Sequence, residues 1–97
     1  TGGDWSFVSL TGATLNKATI TGVRLREAEL SGVKAAGATI RDCDLSNATL
    51  TGADLTRADL RGSDLTGLDP RAVTLKGAVI DTAGAVQIAG ALGLSVR

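Results

Sequence analysis

The sequence predicts a repeat solenoid of five-residue units, closed at its C-terminal end by a short α-helix. Three observations predict this fold. An apolar residue recurs at every fifth position from Leu10 to Ile80. A second column, made of small or β-branched residues, lies two positions before the first. The five-residue period stops after Ile80, where the signals for a helix begin.

The central column of apolar residues is almost unbroken and extends back to Trp5. It reads Leu10, Leu15, Ile20, Leu25, Leu30, Ala35, Ile40, Leu45, Leu50, Leu55, Leu60, Leu65, Pro70, Leu75 and Ile80. The small column reads Val8, Ala13, Ala18, Val23, Ala28, Val33, Ala38, Cys43, Ala48, Ala53, Ala58, Ser63, Leu68, Val73 and Ala78. Neither the 3.6-residue period of a helix nor the two-residue period of a strand fits this pattern.

Three consecutive segments show the repeat most clearly: Ala48-Thr49-Leu50-Thr51-Gly52, Ala53-Asp54-Leu55-Thr56-Arg57 and Ala58-Asp59-Leu60-Arg61-Gly62. They match the pattern A-(D/N)-L-x-x, and the chain resembles pentapeptide-repeat proteins over residues 3–82. The resemblance implies an all-β solenoid, a right-handed quadrilateral β-helix of about four coils capped by a short C-terminal α-helix. Both columns then point into a narrow interior. The implied division is 3–82 for the β-helix and 83–97 for a capping and dimerisation helix with its tail.

If four units make one coil, residues twenty positions apart stack on one face. Asp4, Arg24, Asp44 and Asp64 then follow one another along one face, and Lys34 lies next to Asp54. Exposed ion pairs between such neighbours contribute about 0–1 kcal/mol each.

Glycine and proline mark the corners. Gly12, Gly32 and Gly52 end their units in one stacked column, where we predict a backbone conformation that costs glycine least. Pro70 interrupts the central column, but Leu75 resumes in phase. We therefore interpret Pro70 as a tolerated corner and not as a break in the solenoid.

Composition excludes several kinds of chemistry. The chain has no histidine and one cysteine, so it holds neither a Cys/His zinc site nor a Ser-His-Asp relay. Cys43 falls in the small column, where a thiol acts as an inert apolar filler. The formal net charge is zero, which removes the usual argument for direct nucleic-acid or anionic-membrane binding. We predict no enzymatic activity and no cofactor.

Acidic residues concentrate in the second half of the repeats and form a candidate partner surface. They are Asp42, Asp44, Asp54, Asp59, Asp64 and Asp69. One interpretation is an acidic surface that faces a DNA-binding protein partner. The alternative is structural, because aspartate before the central leucine can cap a local backbone amide in a turn.

The only two aromatic residues, Trp5 and Phe7, lie in the first unit. Trp5 is too large for the regular inner column. Two interpretations stay open: an N-terminal plug over the first coil, or a contact with sequence upstream of residue 1.

The C-terminal segment predicts a short helix with Asp81 or Thr82 as N-cap and Gly93 as its stop. Its apolar face is predicted to cover the last coil and comprises Ala85, Val86, Ala89 and Leu92, with Ile88 at the border.

The tail is similar to the ends of actinobacterial pentapeptide-repeat proteins that protect DNA gyrase from fluoroquinolones, over residues 75–94. That resemblance implies a homodimer through the C-terminal helix. The candidate contacts are Ile88, Leu92, Leu94 and Val96. The alternative is that the helix caps the solenoid without dimerising.

Two functional hypotheses follow. The first is a non-enzymatic scaffold or protein-interaction module with a protein partner. The alternative, implied by the resemblance, is a DNA mimic that binds DNA gyrase and gives fluoroquinolone resistance. No membrane span and no targeting segment is visible, so a cytoplasmic location is expected.

Overall fold

Regular secondary structure is sparse in the computed structural model, which describes residues 3–94. Within these residues, strand β1 spans Thr19–Thr21, strand β2 spans Thr39–Arg41, and helix α1 spans Thr82–Ala91. The two strands pair in parallel with Ile20 opposite Ile40. The rest of the repeat region is held by single parallel bridges and tight turns.

Parallel bridges join residues that lie twenty positions apart, which confirms the predicted stacking. We name four ladders by one member each. The Asp44 ladder contains Asp4, Arg24, Asp44 and Asp64; the Glu29 ladder contains Ser9, Glu29 and Thr49; the Lys34 ladder contains Thr14, Lys34, Asp54 and Thr74; the Thr39 ladder contains Thr19, Thr39, Asp59 and Val79. Because the ladders follow one another at five-residue steps, four units make one level of the solenoid.

Backbone hydrogen bonds connect one level to the next. From the first unit to Leu60, the N–H of most central residues donates to a carbonyl nineteen positions later, as from Leu25 to Asp44 (2.7 Å) and from Ile40 to Asp59 (2.8 Å). Within a unit, the N–H of the following small residue closes a turn onto the central carbonyl, as from Ala28 to Leu25 (3.1 Å). Every unit therefore satisfies its backbone both along the chain and between levels.

The core consists of the two predicted columns. Leu55 and Leu60 are the largest fully buried side chains, and Ala53 and Ala58 beside them have no exposed surface. Alternating leucine and alanine fill the narrow interior without aromatic side chains, which accounts for the aromatic-poor composition.

The corners adopt left-handed backbone conformations. Gly12, Gly32 and Gly52 have φ values of 70°, 67° and 75°, which confirms the predicted role of glycine there. Equivalent corners also carry residues with side chains, such as Lys17 (φ 62°) and Glu27 (φ 55°). The register between levels therefore imposes this conformation even where it costs energy.

Pro70 is a local irregularity, as predicted. The Gly52 N–H donates to the Ala72 carbonyl (2.7 Å), which shifts the pairing by one residue. Regular pairing resumes where Asp54 bridges Thr74. Proline removes one donor at this corner without breaking the solenoid.

Helix α1 has both predicted ends. Asp81 is the N-cap, and its side chain accepts a hydrogen bond from the Gly84 N–H (2.8 Å). At the other end Gly93 has φ 80°, and the Leu94 N–H donates to the Ala89 carbonyl (2.9 Å). This is a Schellman ending.

The predicted docking face of α1 was wrong in part. Gly84 is buried, Gln87 and Ile88 are half-buried, and Ile88 packs against the core. Three residues that were predicted to face inward are exposed instead: Ala85, Val86 and Leu92. The helix is turned in this way because the last level needs hydrogen-bonding partners as well as apolar cover.

Two glycine-to-alanine substitutions should change stability in opposite directions. At Gly32 a Cβ meets nothing closer than 4.0 Å, so any cost comes from its positive φ, and Gly32→Ala should destabilise the fold by about 1 kcal/mol. At Gly90, inside α1 and in open space, Gly90→Ala should stabilise it by about 0.5–1 kcal/mol. Urea unfolding measures both. Equal effects of one sign would contradict a left-handed corner.

Candidate functional site

The six candidate aspartates do not lie on one face. Asp44 and Asp64 are consecutive members of the Asp44 ladder, and the structure brings these two together. Asp54 belongs to the Lys34 ladder and Asp59 to the Thr39 ladder. Asp42 lies at a corner with positive φ, and Asp69 lies next to Pro70 in the sequence. Within one chain the acidic residues are therefore distributed around the rod.

Most of these carboxylates cap a local backbone amide. Asp44 Oδ1 accepts from the N–H two residues later (3.0 Å), and the same contact recurs at Asp54, Asp59, Asp64 and Asp69. A hydroxyl at the same i+2 position, such as that of Thr56, adds a second hydrogen bond. The structural role that the sequence offered as an alternative is thus present at five of the six positions.

Arginines lie close to several of the same carboxylates. Arg26 Nε is 3.6 Å from Asp44 Oδ2, and Arg71 Nε is 3.5 Å from Asp69 Oδ1. Arg61 holds Asp59 with two nitrogens, at 2.9 Å and 2.8 Å. These exposed pairs contribute little to stability, but they reduce the negative potential of the surface.

Hydrogen bonds lower the pKa of three of these carboxylates, those of Asp54, Asp59 and Asp64. The Arg61 side-chain hydrogen bond lowers the pKa of Asp59 to about 2. The Thr56 hydroxyl, as the largest cause, lowers the pKa of Asp54. The Thr66 hydroxyl does the same for the pKa of Asp64. A general acid that works near neutral pH needs a raised pKa, so these groups are suited to presenting fixed negative charge.

Sequence analysis did not identify Gln87, whose side chain supplies the hydrogen-bond acceptor that a further level would otherwise provide at the C-terminal end. Its Oε1 accepts a hydrogen bond from the Leu65 N–H (2.8 Å). One level earlier, the equivalent Leu45 N–H donates to a backbone carbonyl, that of Asp64 (3.0 Å). Its Nε2 donates to Asp64 Oδ1 (3.0 Å) and Thr66 Oγ1 (3.2 Å). The available signal was spacing, because Gln87 follows Leu65 by about one level.

Asp81 has a double role at the same end. Its Oδ2 accepts from the Gly62 N–H (2.7 Å), while Oδ1 caps α1 through Gly84. One level earlier the equivalent Asp42 N–H donates to the Arg61 carbonyl (3.2 Å). The N-cap of the helix therefore also completes the hydrogen bonding of the last level.

The predicted dimer contacts differ in exposure. Leu92 is 46% exposed and Leu94 is 62% exposed. Ile88 is half-buried and packs against the core, so part of its surface serves the cap. Val96 lies outside the described residues. Leu92 and Leu94 are thus the described candidates that present most apolar surface.

Cys43 is buried in the small column. Its Sγ lies 3.3 Å from the Arg41 carbonyl and 3.5 Å from that of Ile20. Burial raises the pKa of the Cys43 thiol, which keeps it protonated. Above it, the Ser63 hydroxyl donates to the Ile40 carbonyl (2.7 Å), so both polar groups in the column are satisfied.

Both aromatic residues of the first unit are exposed. Trp5 is 51% exposed and Phe7 is 73% exposed, so neither seals the first level in the manner of a plug. The inward residues Leu10, Leu15 and Ile20 are only half-buried, unlike their equivalents in the next level.

Two kinds of site are not formed by residues 3–94. No group of three or more His, Cys, Asp or Glu side chains is arranged to hold a metal ion there. The one helix in that range is also too short to cross a membrane.

Comparison with known proteins agrees with this geometry. A family model for pentapeptide repeats matches residues 28–67 with eight copies of the repeat. No curated protein matches the chain in sequence.

Several solved structures share the fold. QnrB1, a plasmid-mediated fluoroquinolone resistance protein, matches at 26% identity and a TM-score of 0.83, over 97% of this chain and 44% of QnrB1. A pentapeptide repeat protein from Nostoc PCC 7120, alr5209, matches at 40% identity and a TM-score of 0.78, over 82% of this chain and 66% of alr5209. Rfr23 from Cyanothece 51142 matches at 30% identity and a TM-score of 0.63, over 82% and 51%.

The chain belongs to the pentapeptide-repeat family. The solved members form right-handed quadrilateral β-helices, which confirms that part of the predicted fold class. The chain spans less than half the length of QnrB1.

Acid should weaken the fold through Asp59. Its folded pKa of about 2 lies below the ordinary value of about 3.9, so its stabilisation is present above pH 4 and is lost as the pH falls towards 2. Asp59→Asn should be less stable than the parent at pH 7, and this difference should vanish near pH 2.

Thermal unfolding between pH 7 and pH 2 measures this difference. Asp42→Asn is the control, since Asp42 lies at an exposed corner and asparagine tolerates its positive φ. A pH-independent difference between Asp59→Asn and the parent would contradict the role of ionised Asp59.

Proposed function

We propose that this chain is a non-enzymatic scaffold or protein-interaction module. In this proposal residues 3–82 form a rod of about four coils, and residues 83–97 cap the rod and pair two chains. The observation that carries the proposal is the hydrogen bonding of the outward polar side chains. The carboxylates of Asp44, Asp54 and Asp64 each accept a hydrogen bond from the backbone N–H two residues later in their own turn, so the rod presents fixed, ordered faces.

The chemistry of the titratable groups supports this proposal. The aspartates with shifted pKa values are held ionised, and the single thiol is held protonated and buried. Catalytic groups are usually tuned in the opposite sense, towards a pKa near the working pH. Family membership supports a binding role in the same way, because these proteins are generally structural or interaction modules.

The proposed partner surface is centred on Asp44 and Asp64, and the other acidic residues of the second half lie on neighbouring faces of the rod. These two lie one level apart on one ladder, and Gln87 bonds to Asp64 at the end of the rod. A protein partner with basic groups at matching spacing fits this surface. Direct nucleic-acid binding does not fit, because the phosphates would meet these carboxylates. We propose that the chain acts in the cytoplasm.

The second candidate is a DNA mimic that binds DNA gyrase. It is favoured by the match to QnrB1, described as a fluoroquinolone resistance protein, over nearly all of this chain. The dimensions of 35 × 22 × 20 Å give a cross-section close to the width of duplex DNA. Zero net charge and the pairing of Asp44 with Arg26 favour the first proposal instead.

Gyrase assays separate the two candidates. For the scaffold we expect no inhibition of supercoiling and no protection from ciprofloxacin at tens of micromolar protein. Inhibition by the parent that is lost in the double variant Asp44→Lys, Asp64→Lys, but kept in Asp54→Lys, would replace the scaffold by the mimic. Asp54→Lys is the matched control because it reverses one charge on a different ladder.

Dimerisation is tested separately. We expect a dimer in sedimentation equilibrium at about 100 µM, with Leu92→Asp shifting the chain to monomer because the new charge enters an apolar contact. Phe7→Asp is the control, since it alters an equally apolar, exposed residue at the opposite end of the rod. A monomeric parent at that concentration would refute the pairing of chains.

A further inference from the structure

One side of the rod is basic, although the chain as a whole is neutral. This side consists of the stacked units 13–17, 33–37, 53–57 and 73–77, which contain the Lys34 ladder. Each unit contributes one base, and we call the four together the basic strip: Lys17, Lys34, Arg57 and Lys76. Asp54 is the one acid of these units, so this side has a formal charge of +3. Over residues 3–82, the other three sides each contain more acids than bases.

The bases of the strip have no local role within residues 3–94. All four are exposed. The ion pairs in that part of the chain use other bases: Arg26, Arg41, Arg61 and Arg71. The basic side chains that donate hydrogen bonds there are those of Arg61 and Arg71. Local structure thus accounts for the capping aspartates, but it does not account for the basic strip.

Packing directs two members of the strip along the rod. At the corner of this side, Lys17 and Arg57 alternate with Gly37 and Gly77, one residue per level. A Cβ at Gly37 would lie 3.6 Å from Lys17 Cγ, and a Cβ at Gly77 would lie 3.1 Å from Arg57 Cγ. The aliphatic stems of both bases therefore lie over the glycine of the next level. The two glycines leave the room that lets the charged ends follow the axis of the rod.

The spacing of the strip matches an α-helix. Levels follow one another at about 4.8 Å, so four levels place their bases over about 14 Å. Side chains one turn apart on a helix are separated by about 5.4 Å, which gives about 16 Å over three turns. Alternate residues of an extended strand are about 6.7 Å apart and span about 20 Å over three steps. A helix therefore stays in register with the four bases, whereas a strand drifts by more than one level.

Asp54 disfavours a continuous polyanion as the partner. It bridges Lys34 in the middle of the strip. Duplex nucleic acid carries one negative charge about every 1.7 Å, so its phosphates would meet this carboxylate. Single strands are usually held by stacking on aromatic side chains, and the two aromatics of this chain, Trp5 and Phe7, belong to a unit of the opposite side. A helix can instead present a neutral or basic residue to Asp54.

We propose that the basic strip docks an α-helix of a protein partner, through acidic side chains on one face of that helix at positions i, i+4, i+7 and i+11. The Asp44 ladder lies on the opposite side of the rod, two units away along the chain, so the two surfaces can be occupied at once. The inference rests on the proposed interaction module and adds a second partner to it. It depends neither on Asp44 and Asp64 nor on the pairing of chains.

The direct test is a titration of the isotope-labelled protein with a designed helical peptide, followed by amide chemical shifts in NMR. The peptide is alanine-rich, has about 20 residues and carries four glutamates at positions i, i+4, i+7 and i+11. A control peptide has the same composition with its glutamates spread around the helix. At about 50 mM salt we expect saturable shifts at Lys34, Arg57 and Lys76. The control peptide should bind about fivefold more weakly.

Variants that remove charge make the test specific. Lys34→Gln with Arg57→Asn should weaken binding of the first peptide about tenfold, because two ion pairs are lost. Asparagine tolerates the positive φ at position 57. Arg24→Gln with Arg26→Gln is the matched control, since it removes two exposed charges from the opposite side, and its affinity should stay within about twofold of the parent. Lys34→Gln with Lys76→Gln repeats the test without a change at the corner, in case the first variant does not fold.

Three results would overturn the proposal. The first is the absence of saturable shifts in the parent up to about 2 mM peptide. The second is equal affinity for the two peptides, or equal affinity of the parent and of both strip variants. The third is a different occupant that is lost in the strip variants: duplex DNA of about 20 base pairs or phosphatidylserine vesicles that bind more tightly than the peptide, or a second copy of the chain in sedimentation equilibrium.

These results leave the proposed function separately testable. Binding through Asp44 and Asp64 is measured by the variants of those two residues, which leave the basic strip unchanged. Failure of the peptide to bind would therefore remove the second partner and not the interaction module.

Discussion

The structure depends on one interaction, the backbone hydrogen bond that joins most central residues to a carbonyl nineteen positions later. This bond fixes the twenty-residue stacking, as between Leu25 and Asp44, and therefore fixes which side chains share a face. It also requires almost every unit to turn through the same corner, the unit after Pro70 being the exception. Lys17 and Glu27 adopt a left-handed conformation there without being glycine, because a relaxed corner would break the register above and below.

The same interaction leaves backbone N–H groups without an acceptor at the last level, because helix α1 follows it in place of another level. At the C-terminal end, side chains supply the missing acceptors: Asp81 receives the Gly62 N–H and Gln87 receives the Leu65 N–H. Ile88 adds apolar cover, since it packs against the core. Hydrogen bonds and apolar contact together therefore close the last level.

Periodicity predicted most of the fold, because a five-residue repeat specifies both the inner columns and the vertical neighbours. It predicted the Asp4 to Asp64 ladder, the corner at Pro70 and the Asp81 cap. It did not predict how α1 docks, because helical amphipathicity accounts for apolar burial alone. The docking face depends on backbone N–H groups of the last level, which need acceptors from the helix. The pattern of apolar residues within the helix gives no information about those N–H groups.

The acidic residues show why surface charge alone is a poor guide to function in this fold. Asp54 and Asp64 are bound to the amides of their own turns, so their presence is explained by local structure before any partner is considered. Their charge is nevertheless fixed, because the same hydrogen bonds that order them keep them ionised. A partner therefore meets carboxylates at positions set by the ladder spacing. Arg26 and Arg61 interrupt this pattern, so recognition depends on the arrangement of charge along each ladder and not on the net charge of the rod.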